Sequence, residues 1–303
     1  MFAHVILHTV KILFIGANGQ LARDLLAEFT AAGEKHEIIP VTHEQLDIRD
    51  KRGVDDLMAA TRPECVINTA AFHRVDQCED EPETTFAVNE GGVRNLARAA
   101  EKQNALLVQL STDYVFDGVK RSAYLESDEA KPLSVYGKSR LAGELAVQQN
   151  CTRYIIIRTC GLYGMAGSQS KTGNFVEIML KLAAARKTPR VVNDQVCTPT
   201  STRDLARHMV RLVPSGAQGL FHMTSTGECS WFDFARECFR LAGVHAVVNP
   251  VTSEQYGAKA KRPVYSVLDN LAYRNAGFND FCPWQEALAE YMQTRKKAGT
   301  QAS

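Results

Sequence analysis

The order of apolar and polar positions predicts alternating strands and helices through the first half of the chain. Apolar runs, such as Ile155-Ile156-Ile157, predict strands at 11–15, 37–42, 65–68, 105–110 and 153–158. Apolar residues at helical spacing predict helices at 19–32, 84–102 and 134–149. Strands separated by helices pair in parallel through right-handed crossovers, and apolar runs indicate strands covered on both faces. We therefore expect an α/β fold with a doubly wound parallel sheet.

The pattern becomes less regular after Gly164, where helices are predicted at 174–186, 231–242 and 284–292. The polar, glycine-rich segment 164–173 is interpreted either as a mobile lid or as a connecting loop. We expect a dinucleotide-binding domain at 11–165, with a returning segment at about 190–228. A smaller C-terminal substrate-binding lobe is expected at 166–189 and 229–303, over the C-terminal edge of the sheet, with a frayed tail from 295.

Composition and charge exclude several classes of function. The 303 residues are 45% hydrophobic and 23% charged, and the formal net charge of +1 gives no basis for binding nucleic acid or an anionic membrane. No apolar stretch reaches the roughly 18 residues that span a bilayer, and the apolar start at 1–10 lacks the features of a secretion signal. The eight cysteines form no C-x-x-C pair, and no His/Cys cluster has zinc-like spacing. We expect a cytoplasmic protein with reduced thiols.

A glycine-rich turn follows the first predicted strand and opens the first predicted helix. It reads Gly16-Ala17-Asn18-Gly19-Gln20-Leu21-Ala22. Gly16 and Gly19 stand where a dinucleotide site needs a tight turn and a close approach of the pyrophosphate. The N-terminus of the following helix attracts the anion. The turn therefore predicts nucleotide binding.

The end of the second predicted strand bears on the choice of nicotinamide cofactor. A carboxylate there binds the ribose hydroxyls of NAD, but this chain has Val41-Thr42-His43. Arg23, just past the glycine turn, is interpreted either as a ligand of the 2′-phosphate of NADPH or as a solvated helix residue. We therefore expect NADPH or NADH as cofactor, with NADPH slightly favoured.

A hydroxyl, a tyrosine and a cation follow the turn in the pattern of a carbonyl-reducing site. Thr112 ends an apolar run, and Tyr136 and Arg140 lie one helical turn apart, so both side chains can face the same cleft. Hydride transfer to a carbonyl leaves an alkoxide that must be protonated, and a nearby cation makes a tyrosine a better acid. Lys138 lies two residues from Tyr136 and is expected on a different face of the helix.

Longer blocks, over about residues 11–288, carry a resemblance to a known family. They include the glycine turn, Asn68-Thr69-Ala70-Ala71-Phe72, Ser111-Thr112-Asp113-Tyr114-Val115-Phe116-Asp117-Gly118, Tyr136-Gly137-Lys138-Ser139-Arg140, Val192-Asn193-Asp194-Gln195 and Arg262-Pro263. On these residues the chain resembles the dTDP-4-dehydrorhamnose reductase family of extended short-chain dehydrogenase/reductases. The resemblance implies an oxidoreductase with a Rossmann fold that uses NAD(P)H to reduce the 4-keto group of a nucleotide-linked 6-deoxysugar. The reaction implied is dTDP-4-dehydro-β-L-rhamnose to dTDP-L-rhamnose, in dTDP-rhamnose and cell-surface polysaccharide biosynthesis.

The resemblance also implies roles for matching residues. The cofactor would be bound by Gly16, Asn18, Gly19, Gln20, Leu21, Asp47, Ile48, Ala70, Ala71, Phe72, Tyr136 and Arg140. Thr112 would polarise the ketone, Tyr136 would donate the proton, and Arg140 would hold the nicotinamide ribose. The nucleotide sugar would be bound by Thr112, Asp113, Asn174 and Arg262, with a surface ion pair as the equally weighted interpretation of Arg262. Some relatives use Mg²⁺ at a dimer contact, so this ion and a homodimer are candidates, although no acidic cluster matches that role.

Two positions depart from the family's pattern. Arg140 replaces the usual lysine, and its guanidinium is planar and effectively never deprotonated. Gly161 stands where rhamnose-forming enzymes usually carry a tryptophan that packs on the substrate. Two alternatives therefore stay open: a nucleotide-binding regulatory subunit, like that of methionine adenosyltransferase, and a reductase of another nucleotide sugar.

Three further residues have two interpretations each. His73 is either a substrate contact or a loop histidine without a ligand. Trp231 is either a core residue, which is the favoured interpretation, or a residue that stacks on a base. Asn89 is more plausibly a structural hydrogen-bonding residue than a ligand.

Overall fold

The computed structural model describes residues 10–31, 36–166 and 173–301. The strands in these residues are β1 Lys11–Ile15, β2 Glu37–Val41, β3 Cys65–Asn68, β4 Leu106–Thr112, β5 Tyr154–Thr159, β6 Arg190–Val192, β7 Val196–Cys197, β8 Gly219–His222, β9 Cys229–Ser230 and β10 Asn249–Val251. The helices are α1 Gln20–Ala31, α2 Lys51–Thr61, α3 Val75–Asp80, α4 Pro82–Phe86, α5 Val93–Lys102, α6 Val135–Asn150, α7 Phe175–Ala184, α8 Thr202–Leu212, α9 Trp231–Ala242, α10 Ser253–Tyr256, α11 Leu271–Asn275 and α12 Trp284–Gln301. Most of the apolar start, the centre of the polar loop at 167–172 and the end of the tail lie outside the described residues.

Six strands form one parallel sheet in the order β2-β1-β3-β4-β5-β8. The chain proceeds from β1 to β2 in one direction and from β3 to β8 in the other, so the order reverses between β1 and β3. Ligands of such sheets bind outside the carboxyl ends of the strands at this reversal. The predicted α/β fold with a doubly wound parallel sheet is confirmed, and the sheet presents the end of β1 to a ligand.

Alternate residues of the strands enter two separate cores. Ile12 and Phe14 pack with α1 and α8 on one face, whereas Leu13 and Ile15 pack with α2, α5 and α6 on the other. Burial on both faces explains why the strands read as continuous apolar runs instead of alternating patterns. The result is a rigid platform for the loops at the carboxyl ends of the strands.

A third core joins α7, α9 and α12. Two short sheets accompany it, in which β6 pairs with β10 and β7 pairs with β9. Within the predicted returning segment, about 190–228, α8 packs in the core with α1 and β8 joins the large sheet, but β6 and β7 pair with strands of the lobe. The limits of the two domains stay a prediction. None of the described helices has the length and apolar character needed to cross a bilayer.

Candidate active site

A cleft of about 770 Å³ lies at the carboxyl ends of β1, β3, β4 and β5. Gly16 and Thr112 line it from the sheet, and Gln195 and Trp231 line it from the lobe. A large cleft at a reversal of strand order is the place where this class of fold binds its ligands. The candidate site is therefore built by both parts of the chain.

The glycine turn forms one wall of this cleft. Gly16 has a φ of +81°, and a Cβ atom there would stand 2.9 Å from the backbone nitrogen of Ala70. The N–H groups of Gly16 and Ala17 donate to the Val41 carbonyl at 2.9 and 3.0 Å, which fixes the turn to the end of β2. The first N–H groups of α1 have no partner within the helix and can meet an anion. The remaining predicted turn residues also line the cleft, namely Asn18, Gly19, Gln20 and Leu21.

Two buried polar atoms at the cleft have no hydrogen-bond partner among the described residues. They are Oε1 of Gln20 and Oγ1 of Thr159, and both residues line the cleft. Buried polar atoms normally have hydrogen-bond partners, so these two indicate a polar ligand that would supply the missing partners. A dinucleotide fits this requirement, because its phosphates, riboses and amide carry both donors and acceptors.

The residues predicted for the adenosine part of the cofactor line the same cleft. Asp47 accepts hydrogen bonds from Arg49 Nε at 2.9 Å and Nη2 at 2.6 Å, and these bonds lower the pKa of Asp47. Ile48 packs against Gly92, where a Cβ atom would stand 2.4 Å from Ile48 Cγ1. His43 and Arg49 are cleft residues, whereas Arg23 is exposed and does not line the cleft. Of the two interpretations of Arg23, the solvated helix residue is the one that the structure supports.

The loop Ala70-Ala71-Phe72 lines the cleft and is held by Asn89. Asn89 lies in a π-helical turn, Ala87–Gly92, that joins α4 to α5 and interrupts the predicted helix at 84–102. Its Oδ1 accepts from Phe72 N at 2.8 Å, and its Nδ2 donates to Phe72 O at 2.9 Å and to Ser139 Oγ at 3.0 Å. The structural interpretation of Asn89 is confirmed, and this residue connects the loop to α6.

Thr112 and Tyr136 face each other at the carboxyl end of β4. Oγ1 of Thr112 accepts from Tyr114 N at 3.2 Å and donates to Asp113 Oδ1 at 3.1 Å. Burial raises the pKa of Tyr136, while the charge of Arg140 and a hydrogen bond with Thr112 act in the opposite direction. The charge of Arg140 therefore opposes the effect of burial on the pKa of Tyr136, but burial is the larger influence, so this pKa lies above its ordinary value.

Arg140 is buried behind Tyr136, and its Nη2 donates to the carbonyl of Leu110. Within the described residues it forms no ion pair with a carboxylate. Glu144, one turn further along α6, pairs instead with Arg158 at 2.9 and 2.6 Å and accepts from Ser111. The positive charge of Arg140 is therefore available to Tyr136 and to a ligand. Lys138 is exposed and does not line the cleft, as predicted.

The Glu144–Arg158 pair fixes the position of α6 on the sheet. Both side chains are almost fully buried, with 2% and 5% exposed. Arg158 belongs to β5, and Ser111 precedes Thr112 in β4, so the pair ties α6 to both strands. Breaking a buried pair strongly destabilises a protein, because one charge is left uncompensated. The contact therefore sets the distance between the Tyr136 helix and the Thr112 strand.

Asp113 lines the cleft but is itself fully engaged by protein groups. Its Oδ2 accepts from Ser266 Oγ at 2.6 Å and from Cys160 Sγ at 3.1 Å. Burial raises the pKa of this carboxyl group. Ser266 lies in the C-terminal third of the chain, so Asp113 connects the end of β4 to the lobe beside the cleft.

Two residues that the sequence assigned to the nucleotide sugar lie away from the cleft lining. Asn174 caps α7: its Oδ1 accepts from Glu177 N at 3.1 Å, and its Nδ2 donates to Gly164 O at 2.9 Å. Arg262 forms a bidentate ion pair with Asp76 at 3.1 and 3.0 Å, which is the second of its two interpretations. The structure does not bring either side chain together with Thr112 and Tyr136, because both are held by these local partners.

Other cleft residues were not assigned from the sequence. His73 lines the cleft, and so does Trp231, which is partly exposed and not a fully buried core residue. Leu162, Gln195, Cys197 and Ser266 also line it. The sequence offered signals at Gln195, which ends a family block, and at His73, which follows Phe72, whereas Ser266 reaches the cleft through long-range packing. Among the described residues, no group of three or more His, Cys, Asp or Glu side chains is arranged to hold a metal ion.

Comparisons with known proteins agree with this geometry. The family described as "RmlD substrate binding domain" matches residues 10–297. The spore coat polysaccharide biosynthesis protein SpsK of Bacillus subtilis (strain 168) is 40% identical over 288 residues, which cover 95% of this chain and 99% of that protein. A dTDP-4-keto-6-deoxy-D-glucose reductase of Streptomyces niveus is 40% identical over 284 residues, covering 93% of this chain and 96% of that protein.

A solved structure gives the same result in three dimensions. The dTDP-4-dehydrorhamnose reductase of Bacillus anthracis str. Ames, in complex with NADP, matches with a TM-score of 0.90 and 36% identity. The match covers 95% of this chain and 100% of that one. The resemblance found in the sequence is thereby confirmed, and the chain belongs to the RmlD substrate binding domain family, which it shares with dTDP-4-dehydrorhamnose reductases.

Proposed function

We propose that the chain is an NADPH- or NADH-dependent reductase that converts dTDP-4-dehydro-β-L-rhamnose to dTDP-L-rhamnose. The observation that carries the proposal is that Thr112, Tyr136 and Arg140 line one cleft that begins at the glycine turn, with the charge of Arg140 acting on Tyr136. Relatives named dTDP-4-dehydrorhamnose reductase, at 36% identity over most of the chain, support the substrate class.

The bound nicotinamide cofactor supplies the hydride that reaches the carbonyl carbon. The hydroxyl of Thr112, which donates to Asp113 Oδ1 in the structure, turns to donate a hydrogen bond to the carbonyl oxygen and stabilises the negative charge that develops there. Tyr136 transfers its phenolic proton to that oxygen, so its O–H bond breaks as the hydroxyl of the product forms. The phenolate left on Tyr136 is stabilised by the guanidinium of Arg140, which the carbonyl of Leu110 holds in place.

The regulatory-subunit alternative rests on Arg140 in place of lysine and on Gly161 in place of tryptophan. Two observations on Arg140 favour turnover instead. The guanidinium carries no competing carboxylate among the described residues, and its charge lowers the pKa of Tyr136. Arginine is always charged and can hydrogen-bond a ribose, so it supplies the two properties that the position needs.

A second nucleotide sugar is a specific candidate, because one relative at 40% identity is named dTDP-4-keto-6-deoxy-D-glucose reductase. The two substrates differ in the configuration of the hexose, so both offer the same 4-keto group to Thr112 and Tyr136. The discriminating experiment follows NADPH oxidation at 340 nm with each substrate in turn. Higher kcat/KM with dTDP-4-dehydro-β-L-rhamnose supports the leading proposal, and higher kcat/KM with dTDP-4-keto-6-deoxy-D-glucose supports the second.

NADPH as the preferred cofactor and a cytoplasmic location also belong to this proposal. His43 and Arg49 line the cleft beyond β2, where cations can meet a 2′-phosphate. All eight cysteines are free thiols, and seven of them are buried, as expected in a reducing compartment. The homodimer stays a prediction, which light scattering of the purified protein tests.

A further inference from the structure

Trp231 is the first residue of α9 and brings an indole from the lobe to the wall of the cleft. The chain has two tryptophans, and they differ in environment: Trp231 is partly exposed, whereas Trp284 is 5% exposed and belongs to the lobe core. Aromatic contacts hold the Trp231 ring, since its centroid lies 4.8 Å from that of Phe175 and 6.1 Å from that of Phe234. The indole is therefore a fixed surface and not a mobile side chain.

Gly161 provides the space that the indole occupies. Its φ is +54°, and a Cβ atom there would stand 3.1 Å from Cη2 of Trp231 and 3.2 Å from the Cα of Pro199. Any side chain at position 161 would therefore be strained and would press on the ring or cover it. The glycine leaves the edge of the indole open to the cleft.

The position of the ring relates it to the reacting end of the cleft. Gly161 lies two residues after Thr159, and Thr159 pairs with Thr112 in the sheet. The glycine turn follows β1, which lies three strands away from β5, or about 14 Å at the usual spacing of strands. Trp231 therefore lies near the residues proposed for the ketone and far from the turn proposed for the pyrophosphate of the cofactor.

We propose that Trp231 is the surface on which the deoxyhexose ring of the substrate packs, and that Gly161 determines specificity by leaving this surface uncovered. The inference rests on the proposed function for the identity of the sugar. A 6-deoxyhexose has an apolar face of C–H bonds and a methyl group, and the uncovered edge of the indole offers aromatic C–H groups for such a face to pack against. The proposal makes Trp231 a specificity-determining residue that takes no part in proton transfer.

Kinetics of three variants test the role of the ring. Trp231→Ala should raise the KM for the nucleotide sugar about tenfold and leave kcat within about threefold, because it removes a contact that the bound substrate and the transition state make equally. The affinity for NADPH should not change. Gly161→Ala should raise the same KM by displacing the ring, and the double variant should be no worse than Trp231→Ala alone. Phe232→Ala is the matched control, since Phe232 is the next residue, contacts Arg236 and does not line the cleft.

Fluorescence tests binding without any turnover. In the Trp284→Phe variant Trp231 is the one remaining indole, so its emission reports directly on the proposed surface. The emission should change on titration with dTDP-D-glucose or the 4-keto sugar, and much less with dTDP alone. A sugar-dependent change in emission from a protein that lacks reductase activity would refute the proposed function but would still support this inference. Unchanged emission with every nucleotide sugar, or a Trp231→Ala variant with the wild-type KM, would overturn the inference.

Discussion

Gly137 lies against the carbonyl oxygen of Tyr114, so closely that a Cβ atom at position 137 would stand 2.2 Å from it. Gly137 follows Tyr136 in the first turn of α6, and its N–H donates to Oγ of the capping residue Ser134 at 3.1 Å. Tyr114 lies two residues after Thr112, just beyond the end of β4. The absence of a side chain at 137 therefore allows α6 to approach the end of β4 and brings Tyr136 to Thr112.

Gly137→Ala should consequently impair catalysis through position alone. The added methyl group forces α6 away from Tyr114, so we expect kcat to fall at least tenfold and unfolding free energy to fall by about 1–3 kcal/mol. Gly91→Ala is the matched control, because its Cβ atom would find its nearest neighbour at 3.9 Å. Steady-state kinetics and urea unfolding of both variants check the prediction, and equal kcat in the two variants would contradict it.

Replacing Arg140 should move the pH dependence of the reaction. Its charge lowers the pKa of Tyr136, so Arg140→Met should raise that pKa further. Oxidation of the product alcohol needs the ionised tyrosine as base, so the rising limb of kcat/KM in that direction should move to higher pH. Arg140→Lys keeps the charge and should leave the limb near its wild-type position. A limb that stays in place in Arg140→Met would show that Arg140 does not act on Tyr136.

Arg49 should contribute to the preference for NADPH. It lines the cleft beyond β2, and its guanidinium is held in place by Asp47, so a 2′-phosphate there would meet an oriented cation. Arg49→Ala should raise the Kd for NADPH about tenfold and change the Kd for NADH by less than threefold. Arg52→Ala, an exposed residue that pairs with Asp56 and does not line the cleft, is the control. Calorimetric titration with the two cofactors measures both values, and an equal loss for NADPH and NADH would refute the assignment.

Stability should depend on pH through the buried His222. Burial, assisted by the charge of Arg158, lowers the pKa of His222 to about 3. The folded protein keeps this imidazole neutral, whereas the unfolded chain binds a proton below about pH 6.5. The contribution of His222 to stability is therefore complete above pH 6.5 and declines as the pH falls below that value.

Urea unfolding of wild type and His222→Gln at two pH values measures this effect. The loss of unfolding free energy caused by the substitution should be about 2 kcal/mol smaller at pH 5.0 than at pH 7.5, because a neutral glutamine does not titrate. Comparing the two proteins at each pH cancels the contributions of the carboxyl groups that they share. A cost that is the same at both pH values would mean that His222 is not held neutral in the fold.

The fold was predictable where the chemistry of the chain is local. The four central strands of the large sheet, β1, β3, β4 and β5, are apolar runs because both of their faces are buried, and the long helices have an apolar stripe. The edge strand β8, half-buried at its start, was not predicted. Helix α2, by contrast, was not predicted, since it begins Lys51-Arg52-Gly53 and buries only Val54 and Met58. Strands of two or three residues, such as β7, exist because of a distant pairing partner and leave no pattern in the sequence.

The same distinction applies to the site. Tyr136 and Arg140 share one helix face, so their spacing alone indicated a common cleft. Ser266 and Trp231 reach the cleft through the packing of the lobe, which no local pattern reports. Asn174 does not line the cleft, because an asparagine before an apolar helix serves as an N-cap, and the structure uses it in that way. Its assignment to the nucleotide sugar stays a prediction.

The most direct test of the central claim is the rate of NADPH oxidation in a single turnover with dTDP-4-dehydro-β-L-rhamnose, measured for wild type and Tyr136→Phe. We predict one equivalent of NADPH oxidised per substrate by the wild type. The variant should bind NADPH with similar affinity but react about 10²–10⁴-fold more slowly, the usual contribution of a positioned proton donor. A wild-type protein that binds NADPH and substrate without oxidising the cofactor, or a variant as fast as the wild type, would contradict the account.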